Sequence, residues 1–129
     1  MKKYINLIVI AISGVTILSG LVQVVAPAFV LDFIGADTAP ASRHFFAIIG
    51  MFMALFGGLM LNVVYSARPS KSATFWCALQ KLGASIAVLI GIYNDIFSLL
   101  AAGIALFDLL SGILFLYYMK TISDFDLSG

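Results

Sequence analysis

The chain has 129 residues, of which 63% are hydrophobic and 10% are charged, and its mean hydropathy is +1.14. A soluble domain of this length carries about a quarter charged residues, so the composition excludes an ordinary water-soluble globule and predicts a protein of the lipid bilayer. A net charge of +1 provides no basic surface for nucleic acid, and the one cysteine excludes an internal disulfide and a cysteine-rich metal site.

Four apolar stretches along the chain are each long enough to cross about 30 Å of hydrocarbon, which takes roughly 20 helical residues. They predict an all-α fold, an integral membrane four-helix bundle that forms a single domain over residues 1–129. The tyrosines and the tryptophan support these spans, because they favour the membrane interface and fall at or near predicted helix ends. The predicted helices cover residues 4–25, 44–65, 73–93 and 97–119, and a mobile tail covers 121–129.

The first predicted helix has some features of a signal peptide, since Lys2 and Lys3 precede its apolar run and an Ala-Pro-Ala sequence follows it. The apolar run is about twice the usual length of a signal-peptide core. We therefore expect this helix to be retained in the protein.

The connection between the first and second predicted helices is the longest in the chain. Phe29 and Phe33 are four residues apart, which predicts a short helix that begins at Ala28 and lies at the membrane interface. Gly35 would end this short helix, and Ser42 would cap the second long helix.

The distribution of Lys and Arg in the short connections predicts the orientation of the chain. One face would carry five basic residues, and the opposite face would carry only Arg43. Because basic residues accumulate on the cytoplasmic side, we expect both termini in the cytoplasm. The five residues are Lys2, Lys3, Arg68, Lys71 and Lys120.

Small residues recur on one face of each predicted helix, and such residues let helix backbones approach one another in lipid. On the first helix this face carries Ser13, Thr16, Gly20 and Gln23. Close packing within one chain explains these faces, and dimerisation through one of them is the alternative. The candidate packing residues of the other helices are Gly50, Ala54, Gly57, Gly58, Gly83, Ala87, Gly91 and Gly112.

Asp108 lies near the middle of the fourth predicted helix, where an aspartate costs roughly 2.5–3.5 kcal/mol to insert. Lys81 lies at a similar depth in the third helix, and a tight turn should make these two helices antiparallel neighbours. We therefore predict an ion pair between Asp108 and Lys81, with Gln80 nearby. The pair would either fix the register of the two helices or allow Asp108 to exchange a proton or contact a ligand.

Arg43 and His44 form a small cationic patch at the outer end of the second predicted helix. Such a histidine is usually solvated, and the alternative is a contact with a lipid phosphate or a quinone-like head group. No second histidine or nearby cysteine indicates a metal site. The chain also has no phosphate-binding loop and no hydrolase motif, so we predict no catalytic residues.

At Pro27, Gly35, Arg43, Gly50 and Gly57 the chain resembles small bacterial four-helix membrane proteins of the DoxX-like families and allied domains of unknown function. The resemblance covers the first two predicted helices, about half of the chain. It implies a four-helix bundle and little about activity, and it does not extend to Lys81 and Asp108.

These observations favour a non-catalytic protein of the bacterial inner membrane that acts by association, either with a larger membrane complex or with a second copy of itself. A first alternative is a protein that binds a quinone-like or lipid molecule near Asp108, Lys81 or His44. A second alternative is a small proton-coupled transporter that uses Asp108 as its proton site. No particular cofactor is predicted.

Overall fold

The computed structural model describes residues 2–122, which form five α-helices and no strand. Each of the four long helices is long and apolar enough to cross a membrane, so the predictions of an all-α chain and of four spans are confirmed. Most of the predicted tail, residues 123–129, lies outside the described residues. The helices are α1 Lys2–Val25, α2 Pro27–Phe33, α3 Pro40–Tyr65, α4 Lys71–Tyr93 and α5 Ala101–Thr121.

The short helix predicted after the first span is present as α2, and Gly35 follows it with a φ of 73°, a conformation that favours glycine. Phe29 and Phe33 are exposed on its outer side. On its inner side Leu31 is buried against Ala101 at the start of α5. Helix α2 therefore packs across one end of the long helices, which we call the α2 end; the opposite end is the terminal end.

The starts of α3 and α5 each differ from the sequence prediction by four residues. Helix α3 begins at Pro40, because proline is pre-organised for the first helical position and its missing N–H costs nothing there. Ser42 consequently lies inside the first turn, and its predicted role as the N-cap is wrong. Its hydroxyl instead donates a hydrogen bond to Asp37 Oδ2 at 3.3 Å.

Helix α5 begins at Ala101, four residues later than predicted. The preceding loop folds back on α4, where the amides of Ile96 and Phe97 donate to the carbonyl of Gly91 at 2.8 and 3.3 Å. The ring of Phe97 occupies the space that a side chain at position 91 would need. Gly91 therefore packs against its own connecting loop rather than against another long helix.

The long helices form two closely packed pairs, α1 with α3 and α4 with α5. In the first pair, a Cβ atom added to Gly50 would lie 2.6 Å from both Gln23 Cβ and the carbonyl oxygen of Gly20. In the second pair, a Cβ atom added to Gly112 would lie 2.7 Å from the side chain of Leu82. Glycine is thus required at position 50, where the backbones approach closely, whereas at position 112 the close atoms belong to the side chain of Leu82.

The two pairs meet over the terminal half of the molecule, where residues from all four long helices form a buried cluster that we call the terminal core. At the α2 end the pairs lie farther apart, and cavities separate them. The terminal core consists of Ile5, Val9, Met60, Val63, Cys77, Ala78, Phe115, Tyr118 and Ile122.

Three of the predicted packing residues do not pack helices together within the described part of the chain. Gly58 and Gly83 are exposed, and a Cβ atom at either position would have nothing within 4 Å. Ala87 is also exposed, whereas Ala54 is half-buried and Gly57 is buried against α1. Each helix needs only one small-residue face toward its partner, so small residues on other faces are left on the surface.

We expect Gly50→Ala to lower the free energy of unfolding by about 1–3 kcal/mol, because the new methyl group would overlap backbone atoms of α1. Gly58→Ala is the matched control on the same helix, and it should leave stability unchanged or raise it slightly. Unfolding of both variants by sodium dodecyl sulfate in mixed micelles measures the difference. Equal effects of the two substitutions would contradict the close contact between α1 and α3.

Candidate functional site

The predicted ion pair is present in the interior of the molecule. Lys81 Nζ lies 3.3 Å from Asp108 Oδ1, and the two residues are only 3% and 8% exposed. Helices α4 and α5 run antiparallel on either side of the 94–100 loop, which places the two side chains at similar depth. The pair is buried between apolar helices, where each charge depends on the other.

Thr16 is a further partner of the lysine. Lys81 Nζ donates a hydrogen bond to Thr16 Oγ1 at 2.6 Å, and the threonine hydroxyl in turn donates to the carbonyl of Ile12 at 2.9 Å. Nζ also lies 5.1 Å from the centre of the Phe107 ring, within range of a cation–π interaction. The ammonium group thus links α1 to the α4–α5 pair.

The role of Thr16 was not found from the sequence, although the residue was placed on the small-residue face of the first helix. The available signal was depth, because Thr16 lies near the middle of α1 and Lys81 near the middle of α4. Position along a helix indicates depth in the membrane, but it does not indicate which neighbouring helix faces the lysine.

Two cavities extend from the ion pair toward the α2 end. The first cavity, of about 320 Å³, is bordered by α3 and α4, and the second, of about 490 Å³, is bordered by α1 and α5. Both volumes lie within the range of small-molecule sites in proteins. The cavities share Gln23, Val30, Met53, Lys81, Ile104 and Asp108.

Gln23 is the second polar residue of α1 at this site, and it lies closer to the α2 end. It is buried, and its Nε2 donates a hydrogen bond to the carbonyl of Phe46 on α3 at 3.2 Å. Because a carbonyl can only accept, the amide nitrogen must face Phe46 and Oε1 must face elsewhere. Gln80, the predicted neighbour of the ion pair, is half-buried and lines only the first cavity.

On the terminal side of the ion pair the interior is closed. A void of about 10 Å³ borders Ser13, Lys81 and Phe115, and a void of this size holds at most one water molecule. The buried hydroxyl of Ser13 has no hydrogen-bond partner among the described residues. Beyond this void lies the terminal core, so the ion pair forms the floor of the two cavities.

The predicted cationic patch lies apart from this site. Arg43 and His44 are exposed near the start of α3, and neither lines the first or the second cavity. The ring of His44 meets the neighbouring Phe45 ring edge to face, with ring centres 6.3 Å apart. A lipid contact at this patch stays a prediction. Within residues 2–122 no cluster of His, Cys, Asp or Glu could hold a metal ion.

Comparison of the chain with models of known protein families, with curated proteins and with solved structures gives no match. The DoxX-like resemblance therefore stays a prediction, and the function is inferred from the site alone.

We expect Asp108→Leu to lower the free energy of unfolding by about 3–5 kcal/mol, because it leaves the Lys81 ammonium buried without its counter-charge. The double variant Lys81→Met/Asp108→Leu should recover most of this loss, since it removes both charges and keeps similar volume. Titration of each variant with sodium dodecyl sulfate measures the two effects. A double variant as unstable as the single variant would contradict a mutual dependence of the two charges.

Proposed function

We propose that the protein binds a quinone-like or lipid molecule, held with its apolar body in the cavities and its polar head group at the buried ion pair. The observation that carries this proposal is the meeting of two apolar cavities at Lys81 and Asp108. Binding sites for small molecules combine apolar walls with a few convergent polar groups. A buried ionisable residue in a membrane helix is a functional candidate for the same reason.

The route of access supports a ligand that arrives from the bilayer. Leu18, Ile49 and Ile104 line the cavities and are also exposed, so the cavities are open to the surroundings of the helices. A molecule dissolved in lipid could therefore pass between the two helix pairs without crossing the aqueous phase. This geometry favours a binding protein over an enzyme acting on water-soluble substrates.

Association with another subunit or with a second copy stays a prediction. Gly58 and Gly83 are exposed, which leaves small-residue surfaces free for such a contact. Proton-coupled transport through Asp108 also stays a prediction, and it would require the terminal core to open. Neither function accounts for the two cavities, whereas ligand binding does.

We expect Ile104→Trp to reduce the amount of small molecule that copurifies with the protein, because Ile104 lines both cavities and the larger ring would fill part of each. Leu106→Trp is the matched control, since Leu106 is exposed on the same helix and lines neither cavity. Native mass spectrometry of protein extracted gently from its host membrane measures the retained mass. Equal retention by both variants, or no retained molecule in the unchanged protein, would contradict the proposal.

We also propose a bacterial inner-membrane location with both termini in the cytoplasm. The basic residues Lys3, Arg68, Lys71 and Lys120 lie at the terminal end of the long helices, and among the described residues only Arg43 lies at the α2 end. The excess of basic residues at the terminal end supports its placement on the cytoplasmic side.

We expect Thr38→Cys to react with a membrane-impermeant maleimide in cells whose inner membrane is intact, and Ala67→Cys to react only after that membrane is permeabilised. The two positions are exposed at opposite ends of α3. The natural Cys77 is 1% exposed within the terminal core, so it serves as an unreactive internal control. The reverse labelling pattern would overturn the orientation.

A further inference from the structure

Two of the three hydrogen-bond donors of Lys81 are used within the protein. Its ammonium group carries three protons. One is donated to Thr16 and one to Asp108, and the Phe107 ring lies close to Nζ. The third proton has no hydrogen-bond acceptor among the described residues, and the oxygen of either an alcohol or a ketone can accept it.

Two hydrogen-bond acceptors at the same place have no donor among the described residues. Asp108 receives its hydrogen bond at Oδ1, and no described residue donates to Oδ2. Oδ2 is not fully enclosed by the protein, and Asp108 lines both cavities. This oxygen is therefore accessible to a ligand. Gln23 donates one of its two amide protons to the carbonyl of Phe46, and no described residue donates to its Oε1, which is a second unpaired acceptor.

The polar centre shared by the cavities therefore offers two unpaired acceptors, and only a head group that carries a proton can satisfy them. An unpaired acceptor in an apolar site costs free energy that a ligand hydroxyl or N–H group would recover. Gln80 does not favour either kind of head group, because its amide can both donate and accept. Of the two cavities it lines only the first. Ser19, in the second cavity, is likewise able to do both.

The charge of the centre restricts the head group further. Lys81 and Asp108 form a pair without net charge, and the rest of the shared lining is uncharged. A cationic head group would compete with Lys81 for Asp108, and an anionic one would compete with Asp108 for Lys81. A neutral head group avoids both conflicts, and it also enters the bilayer at lower cost.

We propose that the site selects a neutral hydrogen-bond donor on an apolar body, the chemistry of a long-chain alcohol or a phenol, over an isosteric ketone. This inference rests on the proposed function, and it narrows the quinone-like or lipid molecule to one whose head group carries a hydroxyl group. The alcohol oxygen carries the proton that Asp108 Oδ2 or Gln23 Oε1 lacks, and a ketone oxygen carries none.

The test compares 2-tetradecanol with 2-tetradecanone, which have the same number of heavy atoms and differ in whether the oxygen carries a hydrogen. The full chain is placed in phosphatidylcholine nanodiscs, and native mass spectrometry follows occupancy against the mole fraction of each probe in the lipid. We expect the alcohol to half-saturate the protein at a mole fraction about tenfold lower than the ketone, the effect of one hydrogen bond to a charged group.

Variants show where the preference arises. Lys81→Met/Asp108→Leu should bind the alcohol and the ketone equally, and Gln23→Leu should reduce the preference. Asn6→Leu is the matched control for Gln23→Leu, because Asn6 lies on the same helix outside both cavities, and it should keep the full preference.

The possible outcomes separate the inference from the proposed function. Equal binding of alcohol and ketone by the unchanged protein would overturn the inference and leave ligand binding in place. A preference that persists in the double variant would also overturn it, because the head group would then lie elsewhere. If neither probe binds, the proposed function fails together with the inference.

Discussion

The structure depends on how one buried ammonium group is satisfied. Lys81 cannot remain charged among apolar helices unless acceptors surround it, and Asp108 and Thr16 supply them from two other helices. These contacts fix α1, α4 and α5 at a common depth, so the α1–α3 pair and the α4–α5 pair cannot slide past one another freely. The need to satisfy the Lys81 ammonium group thereby sets the register between the α1–α3 pair and the α4–α5 pair.

The same contacts divide the interior into two parts with different chemistry. On the terminal side, side chains from all four long helices close the interior with apolar packing and leave a void of about 10 Å³. On the α2 side the pairs separate, and the resulting cavities end at Asp108, Lys81 and Gln23. A polar floor under apolar walls is the arrangement expected for holding the head group of a lipid-soluble molecule.

The sequence predicted the four spans, the short helix α2 and the ion pair, because each follows from strong local physics: apolar length, aromatic spacing, and the cost of charge in lipid. It did not predict Thr16 as a partner of Lys81. Which face of α1 points toward Lys81 depends on how the helices pack together, and the sequence of α1 alone does not determine this. The start of α5 was also missed, because Phe97 reads as another apolar helical residue until Gly91 is seen to accommodate its ring. The exposed Gly58 and Gly83 show that a small residue permits close approach without requiring it.

The loop before α5 connects α2 to the α4–α5 pair, so α2 limits how far the two helix pairs can separate. The chain attaches α2 to α1 and α3, while the amide of Ser98 donates to the carbonyl of Ile34 at 2.7 Å and Leu31 packs on Ala101. Helix α2 is thus joined to the α1–α3 pair by the chain itself, and to the α4–α5 pair by a hydrogen bond and a small apolar patch. Any widening of the gap between the pairs must either release that weaker attachment or carry α2 with the α4–α5 pair.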